Sequence, residues 1–157
     1  MSTITPTTAG PFFDVVLITV NQHEFDAVYQ LAREHLGKKP DFVPKPKRGY
    51  FDLGLVGGLR LGMVRSKMGS TQTGASTTTT LQAMHEVCPR YLIAVGIAWG
   101  INPDKQPIGH ILYSEKLQDY NLKREGKQIT PRGEKVSPNP PFLNRVQSMA
   151  DTWRLNG

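Results

Sequence analysis

A chain of 157 residues with 38% hydrophobic and 20% charged residues is long enough for one domain with a buried core and too apolar for a disordered polymer. Its 19 Lys and Arg against 13 Asp and Glu give a net charge of +6, which favours anionic partners in general: phosphorylated metabolites, nucleic acid or an acidic protein. The single cysteine, Cys88, excludes an internal disulfide framework, the start has no signal-peptide pattern, and no apolar run approaches the ~20 residues of a membrane span; the expectation is a cytoplasmic protein without a membrane partner.

In chain order, a Ser/Thr-rich leader over residues 1–12 precedes "FDVVLITV" (13–20), a short β-branched run that reads as a strand buried on both faces. "NQHEFDAVYQLAREHLG" follows. Asn21 is a good N-cap with Glu24 three residues on, as in a capping box, and Phe25, Val28, Leu31, Ala32 and Leu36 keep helical spacing until Gly37. Five cationic residues fall within 38–48, "KKPDFVPKPKR", where three prolines forbid a helix and predict an exposed basic loop. "YFDLGLVGGLRLGMVRSKMG" predicts a hairpin, with strands over 50–55 and 59–66 around "VGG".

"STQTGASTTTTLQAMHEVCPRY" places Leu81, Met84 and Cys88 at helical spacing, with Pro89 closing the helix. "YLIAVGI" predicts the next buried strand and "HILYS" another. Residues 118–141 are polar, rich in Lys, Gly and Pro, and predict a long loop. "PFLNRVQSMADTWRL" sets Phe142, Leu143, Val146, Met149 and Trp153 on one face of a last helix. Strands alternating with helices predict an α/β fold.

Bland roles compete for each polar residue of interest. Glu24 has a ready one in the capping box; Gly96 and Gly100 serve tight strand packing as readily as ligand approach; Lys67 can be a solvated lysine at a strand end. His23, His35, His85 and His110 have no metal-ligand spacing, and "HEFDA" lacks the second histidine of HExxH. No metal or other cofactor is expected, and with no aromatic-interleaved basic patch nucleic acid is not an expected partner.

The order strand, "NQHE" helix, hairpin, "SKMGSTQTGAS" helix, "YLIAVGIAWGI" and "IGHILYS" resembles the nucleoside phosphorylase and nucleosidase superfamily over residues 14–155. The resemblance is closest to phosphorylase-like effector domains of bacterial anti-phage systems, in which "GIAFG…GDVLVS…RG" is usual. It implies a three-layer α/β fold with a central mixed, mostly parallel sheet flanked by helices. Val20, Asn21, Ser66, Met68, Gly69, Gly96, Ile97, Ala98 and Trp99 would hold base and sugar. Arg48, Arg65, Lys67 and Ser70 would meet phosphate. In the nucleosidase branch a glutamate after the first strand activates the attacking water, a role that falls here on Glu24. The phosphorylase branch tends to carry a Gly-Asp-x-x-Arg phosphate grip near this turn, and "VNQHEFDAV" lacks it. Hydrolysis is favoured accordingly. His110 stands where relatives have Asp, and Trp99 where many have Gly or Phe.

The family's "MEG" segment and the strand-terminal Asp that protonates the departing purine have no counterpart here. Residues 13–157 are therefore expected to be the N-terminal two-thirds of such a domain, incomplete at the C-terminus, with the general acid supplied from outside. The resulting expectation is a nucleosidase-type domain acting on a purine nucleoside or nucleotide, ATP included, as a homo-oligomer or with a complementing second chain. A non-catalytic nucleotide-binding or assembly module and a phosphorolytic nucleoside phosphorylase remain as alternatives.

Overall fold

The computed structural model of the protein describes residues 12–156 except 70–72, 99, 101, 103, 105, 107, 119–122, 125–129 and 132–134. The chain divides into two compact units, Met1–Ile97 and Ala98–Gly157.

Among the described residues, the first unit is a five-stranded mixed sheet with a helix on each face. Its elements run β1 (Val15–Thr19), α1 (Gln22–Leu36), β2 (Asp41–Pro44), β3 (Gly49–Val56), β4 (Leu59–Arg65), α2 (Ser76–Val87) and β5 (Tyr91–Ala94). The spatial order is β2-β3-β4-β1-β5. β1 runs parallel to both β4 and β5, while β2, β3 and β4 form an antiparallel meander. The fold is α/β, as the alternation of elements predicts.

Successive residues of β3 point to opposite faces, and they show where the helices lie. The Tyr50 hydroxyl donates to Glu86 Oε2 of α2 (3.0 Å). The Phe51 ring meets Phe25 and Tyr29 of α1 edge-on, at 5.1 and 5.9 Å between centroids. On the α2 face Phe13, Val16, Ile18, Tyr50 and Val64 pack with Ala83 and Val87 into the main core, each large side chain contributing roughly 1.5–3 kcal/mol by leaving water. Phe12, read as the end of the leader, packs against this core, and its N–H donates to Val87 O (3.1 Å).

Several sequence expectations are corrected. α2 buries Thr79, Ala83 and Val87, whereas Leu81 and Met84 are 53% exposed and Cys88 is exposed; small residues four apart allow the helix to sit close on β1, and the bulky ones are left outside. On α1, Tyr29 takes the inward place expected of Leu31, which is exposed. The basic loop contains the edge strand β2, with Pro44 at its end, a place where a missing N–H interrupts no inner ladder. β5 is an edge strand and only half-buried. The hairpin turns at Gly57 and Gly58, both at positive φ (57° and 79°), the geometry a two-residue turn demands.

In the second unit, residues 110–114 form no strand and their apolar members are exposed. The expected long loop holds two short antiparallel ladders: β6 (Leu117–Gln118) with β9 (Lys135–Val136), and β7 (Lys123–Arg124) with β8 (Thr130–Pro131). The last helix, α3, spans Pro140–Asn156; Phe142, Leu143 and Val146 are half-buried and Met149 is exposed. The side chain of Trp153 lies outside the described residues. No helix among the described residues is long and apolar enough to cross a membrane.

Candidate active site

The chain leaves β1 for β4 on one side and returns through α2 to β5 on the other, so the order of connections reverses at β1. In open α/β sheets the carboxyl ends of strands at such a reversal form the ligand crevice. Here those ends are Thr19 of β1, Arg65 of β4 and Ala94 of β5. The parallel ladders run one step further at each junction, Ser66 N–H donating to Thr19 O (2.8 Å) and Val95 N–H to Ile18 O (2.9 Å).

Glu24 occupies this reversal point. Asn21 is extended (φ −114°, ψ 173°), and its Oδ1 accepts from Glu24 N–H at 2.9 Å. In return Glu24 Oε2 accepts from Asn21 N–H (3.1 Å) and also from Val20 N–H (2.9 Å). The predicted capping box is present. The other oxygen, Oε1, accepts from Ile97 N–H at 3.0 Å, joining the start of α1 to the segment after β5. Partial burial pushes the carboxyl pKa up, but bonds from Ile97, Val20 and Asn21 outweigh it, and the net shift is below the ordinary 4.5. An ionised carboxylate offers about four lone-pair sites. Three take backbone donors, two on Oε2 and one on Oε1, leaving Oε1 an acceptor site for a water or a sugar hydroxyl.

The segment after β5 explains one glycine. A Cβ on Gly96 would lie 2.8 Å from Glu24 Oε1 and 3.1 Å from its Cδ. Gly100, in the second unit, packs instead against Gln106 of its own loop, where Gln106 N–H donates to Asn102 O (2.8 Å).

The β4 end carries the remaining expected residues of this unit. Ser66 is buried against Thr19. Met68 is 77% and Ile97 71% exposed, two apolar side chains in water at the carboxyl edge. Lys67 N–H donates to Gly74 O (2.7 Å), and its stem lies along Gly74. Gly69 turns at φ 93° and its carbonyl accepts from Ser76 N–H and Oγ at the start of α2. Two expected phosphate ligands are engaged within the protein. Arg48 donates to Gln82 Oε1 (2.8 Å) and to Arg65 O (3.2 Å); Arg65 bonds Gln22 Oε1 and stacks over Phe25 at 5.7 Å.

Val20, Asn21, Glu24, Ser66, Lys67, Met68, Gly96 and Ile97 thus share one edge of the first unit. Arg48 reaches it only through the Arg65 carbonyl. Ala98 opens the second unit, and Trp99 and Ser70 lie outside the described residues. His110 is exposed in the second unit. Two residues of this edge escape sequence reasoning. Gln22 links Arg65 to Asp26, its Nε2 donating to Asp26 Oδ1 (2.7 Å). Thr19 is fully buried, and its Oγ1 has no hydrogen-bond partner among the described residues. The available signal for Thr19 was a hydroxyl in an otherwise apolar run.

No curated protein and no solved structure matches the chain. A family model described as the phosphorylase superfamily matches residues 14–152, from the residue before β1 into α3. With most of its length matched, the chain belongs to the phosphorylase superfamily, whose membership supports activity of the nucleoside phosphorylase or nucleosidase type in general.

Proposed function

We propose that this protein is a nucleosidase-type domain that hydrolyses the N-glycosidic bond of a purine nucleoside or nucleotide, with Glu24 orienting the attacking water. The observation that carries the reading is the Glu24 carboxylate at the reversal point of the sheet, its pKa held low by three backbone donors and one acceptor site of Oε1 left open. An ionised carboxylate there can hold a water by one proton and accept that proton as the water oxygen bonds to the anomeric carbon and the carbon–nitrogen bond breaks. The exposed apolar side chains of Met68 and Ile97 suit the faces of a purine and sugar. Lys67, just past the end of β4, suits a phosphate-bearing substrate, and ATP or another adenine nucleotide cleaved in anti-phage defence is the proposed case. The departing purine also needs a proton; its donor is proposed to come from outside the residues gathered at this edge, from a second chain or a further segment.

A second reading is a non-catalytic nucleotide-binding or assembly module. The engagement of Ile97 N–H by Glu24, and of Arg48 and Arg65 by protein partners, favours it. One experiment separates the readings. The intact protein is incubated with a panel of purine nucleosides and nucleotides, with and without inorganic phosphate, and free base is measured by chromatography. Base release independent of phosphate and lost in Glu24→Gln is expected. Release only with phosphate would make the protein a phosphorylase, and calorimetric binding of adenine nucleotides without any release would make it a binding module.

A further inference from the structure

A glycine is usually required for a backbone angle or for room, and at position 96 the two can be separated. Gly37, Gly54, Gly57, Gly58, Gly69, Gly74 and Gly109 have positive φ, whereas Gly96 does not. Its φ therefore lies outside the left-handed region that favours glycine. What another residue would lack is room, since its Cβ would fall 2.8 Å from Glu24 Oε1 and 3.1 Å from Cδ. No contact of that kind is sustained between unbonded carbon and oxygen, so one of the two must move. The carboxylate is the free end of a side chain and gives way before backbone does.

We infer that Gly96 is a positioning residue for Glu24: the missing side chain at 96 is what admits the carboxylate to the Ile97 N–H and aims Oε1 into the crevice. A displaced Glu24 keeps the option of capping α1 through Oε2, because Val20 and Asn21 donate to that oxygen and the Cβ would crowd Oε1. It loses the bond from Ile97. The effect of a side chain at 96 is thus specific to one oxygen of one carboxylate. Besides Glu24, the titratable groups in and beside the first turn of α1 are His23 and Asp26, and at the end of β4 they are Arg65 and Lys67; residues 95–97 bring none. Asp26 and Arg65 are both held by Gln22, so a side chain at 96 leaves them in place.

The catalytic meaning of this inference rests on the proposed role of Glu24, but its test does not. The full chain, labelled with ¹³C at the glutamate side-chain carboxyl carbon, is titrated by NMR as wild type and as Gly96→Ala, with the Glu24 signal identified by its loss in Glu24→Gln. The expected result is a Glu24 titration moved upward by about 0.5 to 1 pH unit in Gly96→Ala, as one stabilising donor is lost, with the acid limb of kcat/KM for base release moving by the same interval. An unchanged Glu24 titration overturns the inference. Absence of base release by the wild type with any complementing chain present would sink the nucleosidase reading and leave the titration to decide on Gly96. Should Gly96→Ala fail to fold, Glu24→Ala is compared with Glu24→Ala/Gly96→Ala: equal melting temperatures support the inference, since room for Glu24 is then no longer needed. A further loss in the double variant overturns it, because the glycine would be serving the backbone.

Discussion

Replacing Glu24 with glutamine keeps the shape of the side chain but halves its acceptors. The carboxylate serves three backbone donors, Val20 and Asn21 at Oε2 and Ile97 at Oε1. An amide has one acceptor oxygen. If that oxygen stays on Val20 and Asn21, an NH2 group faces the Ile97 N–H; if it turns to Ile97, the cap of α1 is lost. Either way at least one hydrogen bond to a charged acceptor disappears, intrinsically about 1.5–3 kcal/mol. Water reaches this edge and replaces part of it, so about 1–2 kcal/mol of stability is expected to be lost near pH 7. The loss has a pH signature. Burial raises the Glu24 pKa, but the bonds from Ile97, Val20 and Asn21 lower it further, and the net value lies below 4.5. A carboxyl with a depressed folded pKa stabilises above its unfolded value and loses that contribution as pH falls through the folded value. The gap between wild type and Glu24→Gln should therefore be widest near neutrality and should close in acid, below 4.5, as the wild-type carboxyl becomes a neutral group like the amide. Urea unfolding followed by circular dichroism, repeated between about pH 7 and about pH 3, reads both quantities. A gap that is absent near neutrality, or that persists undiminished in acid, would refute the assignment of Glu24 as an ionised bridge.

Three further predictions rest on other contacts. Thr19→Val keeps the volume and removes a fully buried hydroxyl whose Oγ1 has no partner among the described residues; a gain of about 1 kcal/mol in urea unfolding is expected, and a loss would show that the hydroxyl is satisfied. Cys88 closes α2 in the left-handed region (φ 45°, ψ 51°), a conformation that costs a residue with a Cβ about 1 kcal/mol or more. Cys88→Gly should raise stability by about 0.5–1 kcal/mol after allowing for the freer unfolded chain, and an unchanged urea midpoint would count against the strain. Burial, then the hydrogen bond and charge of Glu86, push the Tyr50 phenol well above its ordinary 10.0, with Arg48 opposing. Its contribution to stability is complete below about pH 10 and is lost as pH rises toward the folded value. An ultraviolet titration should show one tyrosine that resists ionisation past the others and disappears from the curve in Tyr50→Phe.

What could be read from the sequence was what is local. The Asn21–Glu24 capping box depends on residues three apart, and the Gly57–Gly58 turn on two adjacent ones. The buried face of α2 was not legible, because helical spacing ranks Leu81 and Met84 above Thr79 and Ala83, and only the flat surface of β1 makes small residues the better fit. β2 was hidden by prolines that an edge strand tolerates. In the site, Glu24 and Gly96 each had a local explanation, and each local explanation missed the other residue. The bond from Ile97, beside that glycine, to Glu24 spans 73 positions in sequence, and neither capping rules nor glycine rules look that far.

The contact also dissolves an opposition that the sequence alone sets up, in which Glu24 is either the cap of a helix or the residue that holds water. In the proposed function the two roles fall on different oxygens. Oε2 takes both donors of the helix start, which fixes the side chain's rotamer and the entry of α1. Oε1, held against Ile97 N–H, keeps the vacant acceptor position at the end of β1 and β5. A carboxylate already ordered by its structural bonds pays little further entropy to orient a water. A capping glutamate without a Gly96 opposite it would still cap the helix but leave the crevice without an aimed oxygen, so in the proposed hydrolysis the pair together would carry the chemistry of this edge.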